Sequence, residues 1–363
     1  MAVFILIGGL CGMMIVDIMN RIAMNGQSDV PELLLFLLMI IAMYLAMIVQ
    51  IVVHEAGHLV FGLASGYGFC SFRIFSWIWV KEGNAIRFRR LSIAGTGGQC
   101  LMSPPDIKDG KIPVMLYNLG GSVMNVVTAV IALCIYFAMP ETASFAALLL
   151  MFSVIGFGFA LVNGVPMRMG GVDNDGYNAF SLGKNPDAMR ALWIQLKVNE
   201  QISQGVRLCD MPEEWFAVPG DAAMKNNLVA AQGVFACNRL MDEKKFAEAD
   251  RLMQHMLAKA SGMNGIHRNL VICDRIYCET VGENRRETIE GMLTKEIKTF
   301  MKQMKTFPSV KRVEYAVALL SEKDTAKAEA IRKQFDKCAK RYPYPGEMRS
   351  ERELMVIADE KAN

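Results

Sequence analysis

The chain has 363 residues, of which 53% are hydrophobic, with a formal net charge of +3 and a mean hydropathy of +0.25. This composition is too apolar for an ordinary soluble enzyme, and the length is sufficient for two domains. The small net charge and the lack of a basic stripe with interleaved aromatic residues argue against nucleic-acid binding.

Charged residues are distributed unevenly along the chain. Residues 1–166 carry eight basic and eight acidic residues, whereas residues 167–363 carry 31 and 28. The first half is therefore typical of a membrane protein, and the second half has the charge density of a soluble domain. The sequence predicts an α-helical polytopic membrane protein with an all-α soluble C-terminal domain.

Four apolar runs predict four helices in the membrane half. The run within 1–32 lacks the basic start and the cleavage site of a signal peptide, so we expect a retained N-terminal membrane helix followed by a loop. The second helix is predicted over 33–64, the third from Pro113 to about Met139, and the fourth over 143–165. Each of the last three is long enough to cross a bilayer.

Between the second and third helices the periodicity changes from helical to alternating. The segment "CSFRIFSWIWVKEGNAIRFRRLSIAG" over 70–95 is rich in aromatic and β-branched residues and breaks at Glu82-Gly83-Asn84, which predicts a β-hairpin. Because a bare hairpin in lipid would leave backbone groups unpaired, we expect it at the membrane interface or against protein. The following segment, "GTGGQCLMSPP", is predicted to be a loop.

The C-terminal half reads as helical and soluble. After an amphipathic connector over 181–219, residues 220–345 show paired amphipathic helices, the first pair joined near Asp242–Lys245. Their spacing is close to that of tetratricopeptide-like hairpins, but the signature residues of that repeat are not clearly present. A tetratricopeptide-like array and a plain helical bundle both remain open. Residues 346–363 are predicted to be a mobile tail.

The stretch "QIVVHEAGHLVFG", Gln50–Gly62, places three ionisable residues in the second apolar helix. His54 and His58 are four residues apart, so they share one helix face and can reach the same metal ion. Glu55 lies between them, which completes the H-E-x-x-H arrangement of two zinc ligands and a general base. A chance match is disfavoured because unliganded polar groups are costly in lipid. We therefore predict a Zn²⁺ site, in which Glu55 takes a proton from water as the water attacks an amide carbonyl.

Catalytic zinc usually has three protein ligands, so another helix must supply one more. The end of the fourth helix, "LVNGVPMRMGGVDNDGYNAF", contains two candidate carboxylates, Asp173 and Asp175. The two remaining histidines, His255 and His267, lie in the charged half and are expected to be surface or packing residues.

Three motifs on three successive helices resemble the site-2 protease family of intramembrane zinc metalloproteases. They are His54-Glu55-Ala56-Gly57-His58, then "YNLGGSVMN" with Gly121 and Asn125, and then Asn163-Gly164-Val165-Pro166 followed by Asp175-Gly176. The hairpin over 70–95 is similar to the membrane-embedded β-element of the family. The resemblance covers about 33–180 and implies a three-helix protease core there, with the N-terminal helix as an addition.

The resemblance also implies a third ligand. In the family the ligand aspartate directly precedes a glycine, which favours Asp175 over Asp173. Eight residues separate Pro166 from Asp175-Gly176 here, where the commonest family form has four. The longer spacing resembles a bacterial subset ending in a polar residue plus Asp-Gly-Tyr, as in "NDGY" here. Asp173 is expected to stay solvated or to pair with Arg168.

Asn125 and the adjacent glycine pair also have physical interpretations. Asn125 is expected to act in catalysis by holding the substrate backbone or a developing oxyanion, and an interhelical hydrogen bond is the alternative. Gly120 and Gly121 are expected to let two helices approach closely.

These observations predict an intramembrane zinc metalloendopeptidase that acts on membrane-spanning or membrane-retained peptides in the lipid bilayer. The edge of the hairpin over 70–95 is the candidate for capturing an extended substrate by strand addition. Seven basic residues fall within 65–111, so the positive-inside rule places that segment and the chain after 166 in the cytoplasm. A protein partner of the C-terminal helices is also expected.

Two alternatives belong to other functional classes. One is a membrane scaffold with a structural or vestigial zinc site and a partner-binding C-terminal domain. Such a site would need His54 and His58 but not the carboxylate of Glu55. The other is a metal transporter, which is disfavoured because the remaining membrane segments lack further ligand residues for a path.

Overall fold

The structure is a computed structural model that describes residues 2–24, 31–93, 96–140, 144–169 and 172–362. It is predominantly helical with one small sheet. The helices are α1 (Ala2–Met24), α2 (Glu32–Ala64), α3 (Val114–Ala138), α4 (Ser144–Gly164), α5 (Asp175–Ser181), α6 (Pro186–Ser203), α7 (Asn227–Asp242), α8 (Phe246–Lys259), α9 (Gly265–Val281), α10 (Arg286–Met292), α11 (Lys295–Gln303), α12 (Pro308–Ala316), α13 (Thr325–Ala339) and α14 (Pro345–Ala362). The strands are β1 (Gly68–Ile74), β2 (Trp77–Glu82), β3 (Ala85–Arg90), β4 (Gly98–Ser103), β5 (Arg168–Met169) and β6 (Val172–Asp173).

The second, third and fourth predicted helices are confirmed, with ends within one residue of the expected ones. Among the described residues, three helices are long and apolar enough to cross a membrane: α2, α3 and the part of α4 from Ala146 to Gly164. The described apolar stretch of α1, Gly8–Asn20, is shorter. Proline sets two of these boundaries, because α3 begins directly after Pro113 and α4 ends two residues before Pro166.

Helix α2 exposes apolar side chains and buries polar ones, which is the reverse of a helix on the surface of a water-soluble protein. Its aliphatic side chains are exposed, with Leu33 at 71% and Ile41 at 54%, whereas His54, Glu55 and His58 are buried at 8% each. This pattern is stable when the surrounding medium is apolar, because lipid solvates the aliphatic side chains and the polar groups must find partners within the protein.

Glycines bring α2 and α3 into backbone contact, as predicted for the glycine pair. A Cβ atom at Gly57 would lie 2.3 Å from the carbonyl oxygen of Gly120, and a Cβ at Gly121 would lie 2.6 Å from the ring of His54. Any larger side chain at these positions would separate the two helices. Small residues therefore place α3 directly against the histidine face of α2.

The segment between α2 and α3 forms a four-stranded antiparallel sheet in the order β3-β2-β1-β4. The predicted hairpin is confirmed as β2–β3, with Gly83 at φ +62° in the turn. The loop predicted over "GTGGQCLMSPP" is partly wrong, because Gly98–Ser103 pairs with β1. Only Cys100 and Met102 of β4 are buried, so the alternation is too short to be recognised beside the glycines.

The sheet packs with the C-terminal helices. Residues Ile78, Val80 and Leu91 of the sheet region form a hydrophobic cluster with Phe307, Tyr342 and Tyr344. The sheet and helices α6–α14 thus form one compact unit, and helices α1–α5 form another. The sequence-based division had instead grouped 70–95 with the membrane helices, because local alternation shows that a strand face is buried but not what buries it.

The C-terminal helices agree in part with the prediction. Helix α7 ends at Asp242 and α8 begins at Phe246, as expected for the first pair. The tail expected over 346–363 is instead helix α14 from Pro345 to Ala362, in which Leu354 and Met355 are buried. Several charged residues of this segment form ion pairs with residues elsewhere in the C-terminal unit, so the prediction of a mobile tail is wrong.

Arg312 is the most buried of these ion-pair partners. It is 1% exposed, and its guanidinium binds Glu351 of α14 and Asp274 of α9. The ring of Tyr277 lies 4.4 Å from the guanidinium carbon. Arg312 therefore joins α14 to the helices beneath it.

Replacing Arg312 should destabilise the C-terminal unit. The substitution Arg312→Met leaves two carboxylates without their cation, which typically costs about 3–5 kcal/mol for a buried pair. Hydrogen–deuterium exchange of α14 should show a loss of protection. The matched control Arg286→Met breaks an exposed ion pair with Glu290 and should change stability by less than about 1 kcal/mol. Equal protection of α14 in both variants would contradict this account.

Candidate metal centre

Three side chains from two helices converge on one point. The Oδ2 atom of Asp175 lies 3.1 Å from His54 Nε2 and 3.3 Å from His58 Nε2, and the two Nε2 atoms are 3.2 Å apart. Metal–ligand distances of about 2.0–2.2 Å in a tetrahedral site place neighbouring ligand atoms about 3.3 Å apart. The triangle therefore has the dimensions of a zinc site.

The second nitrogen of each imidazole is also occupied. His58 Nδ1 lies 2.7 Å from the carbonyl oxygen of Tyr117, which can only accept a hydrogen bond, so Nδ1 of His58 carries the proton. His54 Nδ1 lies 2.7 Å from Asn125 Oδ1. With both Nδ1 atoms donating, the Nε2 lone pairs of both rings are left for a metal ion.

Asn125 of α3 is hydrogen-bonded to two residues of α2, His54 and Gln50. It is 0% exposed, its Oδ1 faces His54, and its Nδ2 donates to Gln50. Both ends of the amide are thus occupied inside the protein. These contacts are the interhelical hydrogen bonds of the alternative interpretation, and the catalytic role stays a prediction.

Asn174 connects the end of α4 to the start of α5 and so positions Asp175. Its Oδ1 accepts hydrogen bonds from the backbone N–H groups of Tyr177 (2.9 Å) and Met167 (3.0 Å), and its Nδ2 donates to the Val162 carbonyl (2.8 Å). From the sequence, Asn174 is recognised only as the polar residue before Asp-Gly-Tyr, without a role of its own. The available signal was an asparagine at the N-cap position directly before a helix.

Gly176 allows α5 to lie close to α4. A Cβ atom there would be 2.1 Å from the carbonyl oxygen of Gly164, a distance that no side chain tolerates. Asp175 therefore reaches the histidines because the next residue has no side chain. The glycine that directly follows the aspartate in the family motif is therefore required in this chain by contact with the backbone of α4.

Comparison with known proteins gives one result that matches this geometry. A family model described as Peptidase family M50 matches residues 42–336. The chain belongs to peptidase family M50, the site-2 protease family. The match extends well beyond residue 180, where the motif resemblance ended. No curated protein and no solved structure matches the chain.

The donor set fits the metal used by this family. M50 members are zinc metalloproteases, and two imidazoles with one carboxylate are ligands that zinc accepts. Asp175 would bind the metal as an ionised carboxylate, and the two imidazoles would bind it through their unprotonated Nε2 atoms.

The competing carboxylate has a different partner. Asp173 forms an ion pair of 2.8 Å with Arg168, as one of the two expectations for it had stated. Burial raises the pKa of Asp173, while Arg168 acts in the opposite direction. Asp173 is not part of the three-ligand cluster that the described residues form.

The other predicted residues also have defined places. Glu55 is buried next to His54 on α2, and its carboxylate interacts electrostatically with His58. His255 pairs with Asp221 on the surface of the C-terminal unit, and His267 lies in the first turn of α9. The two last histidines therefore have packing and surface roles, as expected.

The geometry predicts a clear ranking of the two aspartates. Asp175→Asn should lose most of the bound zinc, because a neutral amide replaces the anionic ligand. The matched control Asp173→Asn should retain zinc, since it removes only the ion pair with Arg168. Zinc content of the purified proteins, measured by mass spectrometry, distinguishes them. The opposite ranking would make Asp173 the ligand.

Proposed function

We propose that this M50 peptidase is an intramembrane zinc metalloendopeptidase that hydrolyses peptide bonds of membrane-spanning or membrane-retained peptides. The observation that carries the proposal is the buried carboxylate of Glu55 on the apolar helix α2, beside the donor set of His54, His58 and Asp175. In this assignment His54, His58 and Asp175 hold the zinc, and Glu55 is the general base.

The residues of the site divide the chemistry between them. When bound, zinc would act as a Lewis acid and lower the pKa of a water molecule at the site. The carboxylate of Glu55 accepts the proton as the water attacks the substrate carbonyl, and it then returns the proton to the departing amide nitrogen. Asn125 and the Tyr117 carbonyl keep the two imidazoles in the tautomer that binds zinc.

The scaffold alternative explains fewer of these features. A structural zinc site needs its ligands but no additional carboxylate. Burying a charged group in a membrane helix is costly and is usually associated with function. The position of Glu55 therefore favours an enzyme over a scaffold.

Strand addition to β3 is the proposed mode of substrate capture. Strand β3 lies at the edge of the sheet, and its outer side pairs with no other strand among the described residues. Ile86 and Phe88 are exposed on it. An extended peptide can hydrogen-bond to such an edge, which would hold the substrate backbone out of its helical conformation.

We further propose that the protein is a multi-pass membrane protein whose C-terminal unit is cytoplasmic. The sheet lies in the segment with seven basic residues between α2 and α3, and it packs with the C-terminal helices. The sheet and the C-terminal helices must therefore lie on the same side of the bilayer. The positive-inside rule makes that side the cytoplasm.

Glu55→Gln should abolish proteolysis but retain zinc. General-base catalysis typically contributes about 10²–10⁴ in rate, so cleavage should fall by at least about a hundredfold. A cognate substrate can be found as a membrane peptide that accumulates in cells carrying Glu55→Gln and is then tested with purified protein. Glu32→Gln, at the first turn of α2, is the matched control and should cleave normally. Cleavage by Glu55→Gln at the normal rate would refute the enzyme assignment.

Reporter fusions test the topology. A reporter placed after Asn363 should be active only if it functions in the cytoplasm, because the C-terminal unit stays on the positively charged side. A reporter placed in the loop between α3 and α4 should be active only if it functions outside the cytoplasm. Activity of an external reporter at the C-terminus would overturn the proposed orientation.

A further inference from the structure

Gln50 is a buried polar residue that neither the sequence motifs nor the proposed mechanism explains. It lies one helical turn before His54 on α2 and is 0% exposed. A buried amide destabilises an apolar interior unless its polar atoms are hydrogen-bonded. Gln50 Nε2 donates to the Phe152 carbonyl of α4 (3.2 Å), and Gln50 Oε1 accepts from Asn125 Nδ2 of α3 (2.7 Å). The side chain therefore connects all three membrane helices of the metal centre.

The neighbouring helix leaves room for this amide. A Cβ atom at Gly156 of α4 would lie 2.6 Å from Gln50 Nε2. The position opposite Gln50 is thus a glycine, and the amide occupies the space that a side chain would otherwise fill.

The hydrogen bonds to Gln50 determine which way the Asn125 amide points. Asn125 Nδ2 donates to two acceptors of Gln50, the backbone oxygen (3.0 Å) and Oε1 (2.7 Å). If the amide were reversed, its oxygen would face both acceptors and its NH₂ group would face His54 Nδ1. His54 would then have to accept at Nδ1 and carry its proton on Nε2, where it could not bind a metal.

We propose that the Gln50 side chain is a positioning residue of the metal centre. By holding Asn125 in one orientation, it keeps His54 in the tautomer whose Nε2 lone pair faces the metal. This inference rests on the proposed zinc site. It assigns to Gln50 no contact with zinc, with water or with substrate.

The expected effect is moderate because any substitution leaves the backbone oxygen of residue 50 in place. Removing a direct hydrogen-bond partner of a ligand typically lowers metal affinity about 10–100-fold. Gln50 acts one residue farther away, so Gln50→Met should weaken zinc binding by about three- to tenfold. The measurement is a zinc titration of the purified full chain in detergent, in competition with a chelator.

Ser153→Ala is the matched control. Ser153 is 1% exposed, and its hydroxyl donates to the Ala129 carbonyl (2.8 Å), so it also joins α4 to α3 by a buried hydrogen bond. The hydrogen bond of Ser153 involves neither His54 nor Asn125. The zinc affinity of the Ser153→Ala variant should stay within about twofold of the wild type. This control separates positioning of the ligand from general stabilisation of the helix bundle.

Two further variants test the route through Asn125. In an Asn125→Leu background, Gln50→Met should cause no additional loss of zinc affinity, because the Asn125 amide that Gln50 holds has already been removed. Gln50→Glu, when protonated, reproduces both the donor and the acceptor and should restore affinity to within about threefold. Should Gln50→Met lose helicity, Gln50→Asn replaces it, since its shorter amide cannot reach Asn125.

The outcomes separate this proposal from the proposed function. Wild-type affinity in Gln50→Met, or a loss that adds fully to that of Asn125→Leu, would overturn the role of Gln50. The expected zinc affinities in a protein that cleaves no peptide would support the role of Gln50 while refuting the protease assignment. A wild-type chain that binds no zinc would refute both.

Discussion

Every polar group on a helix surrounded by lipid must find its partner inside the protein. Helix α2 carries four such groups on one face, Gln50, His54, Glu55 and His58, while its aliphatic residues are exposed. Partners can reach this face only if α3 and α4 come very close. The glycines of α2, α3 and α4 provide that closeness, and Asn125 together with backbone carbonyls supplies the hydrogen bonds. The close helix packing that satisfies these polar groups therefore also places the candidate metal-binding histidines against α3.

Features encoded locally could be predicted from the sequence. The helix boundaries follow from apolar runs and prolines, and the shared face of His54 and His58 follows from their four-residue spacing. Asp175 could be preferred over Asp173 because of the glycine after it. The structure supplies the reason, since Gly176 contacts the α4 backbone and Asp173 is engaged by Arg168.

Features that depend on distant pairing could not be predicted. An asparagine in an apolar helix has the same local pattern whatever it contacts. The hydrogen bonds of Asn125 with His54 and Gln50 could not be predicted, because they depend on how α2 packs against α3. Strand β4 is defined by its pairing with β1 rather than by its own short pattern. Likewise, α14 forms ion pairs with Arg312 and other residues that are distant in the sequence, whereas a mobile tail was predicted there.

The central claim is that His54, His58 and Asp175 hold one zinc ion, and X-ray absorption spectroscopy at the zinc edge of the purified wild-type protein tests it most directly. The account predicts one zinc per chain with nitrogen and oxygen neighbours at about 2.0–2.2 Å and the multiple-scattering signature of two imidazoles. The chain has nine cysteines, and all of them lie outside the three-ligand cluster. Sulfur neighbours at about 2.3 Å, or a protein that retains no zinc, would contradict the account.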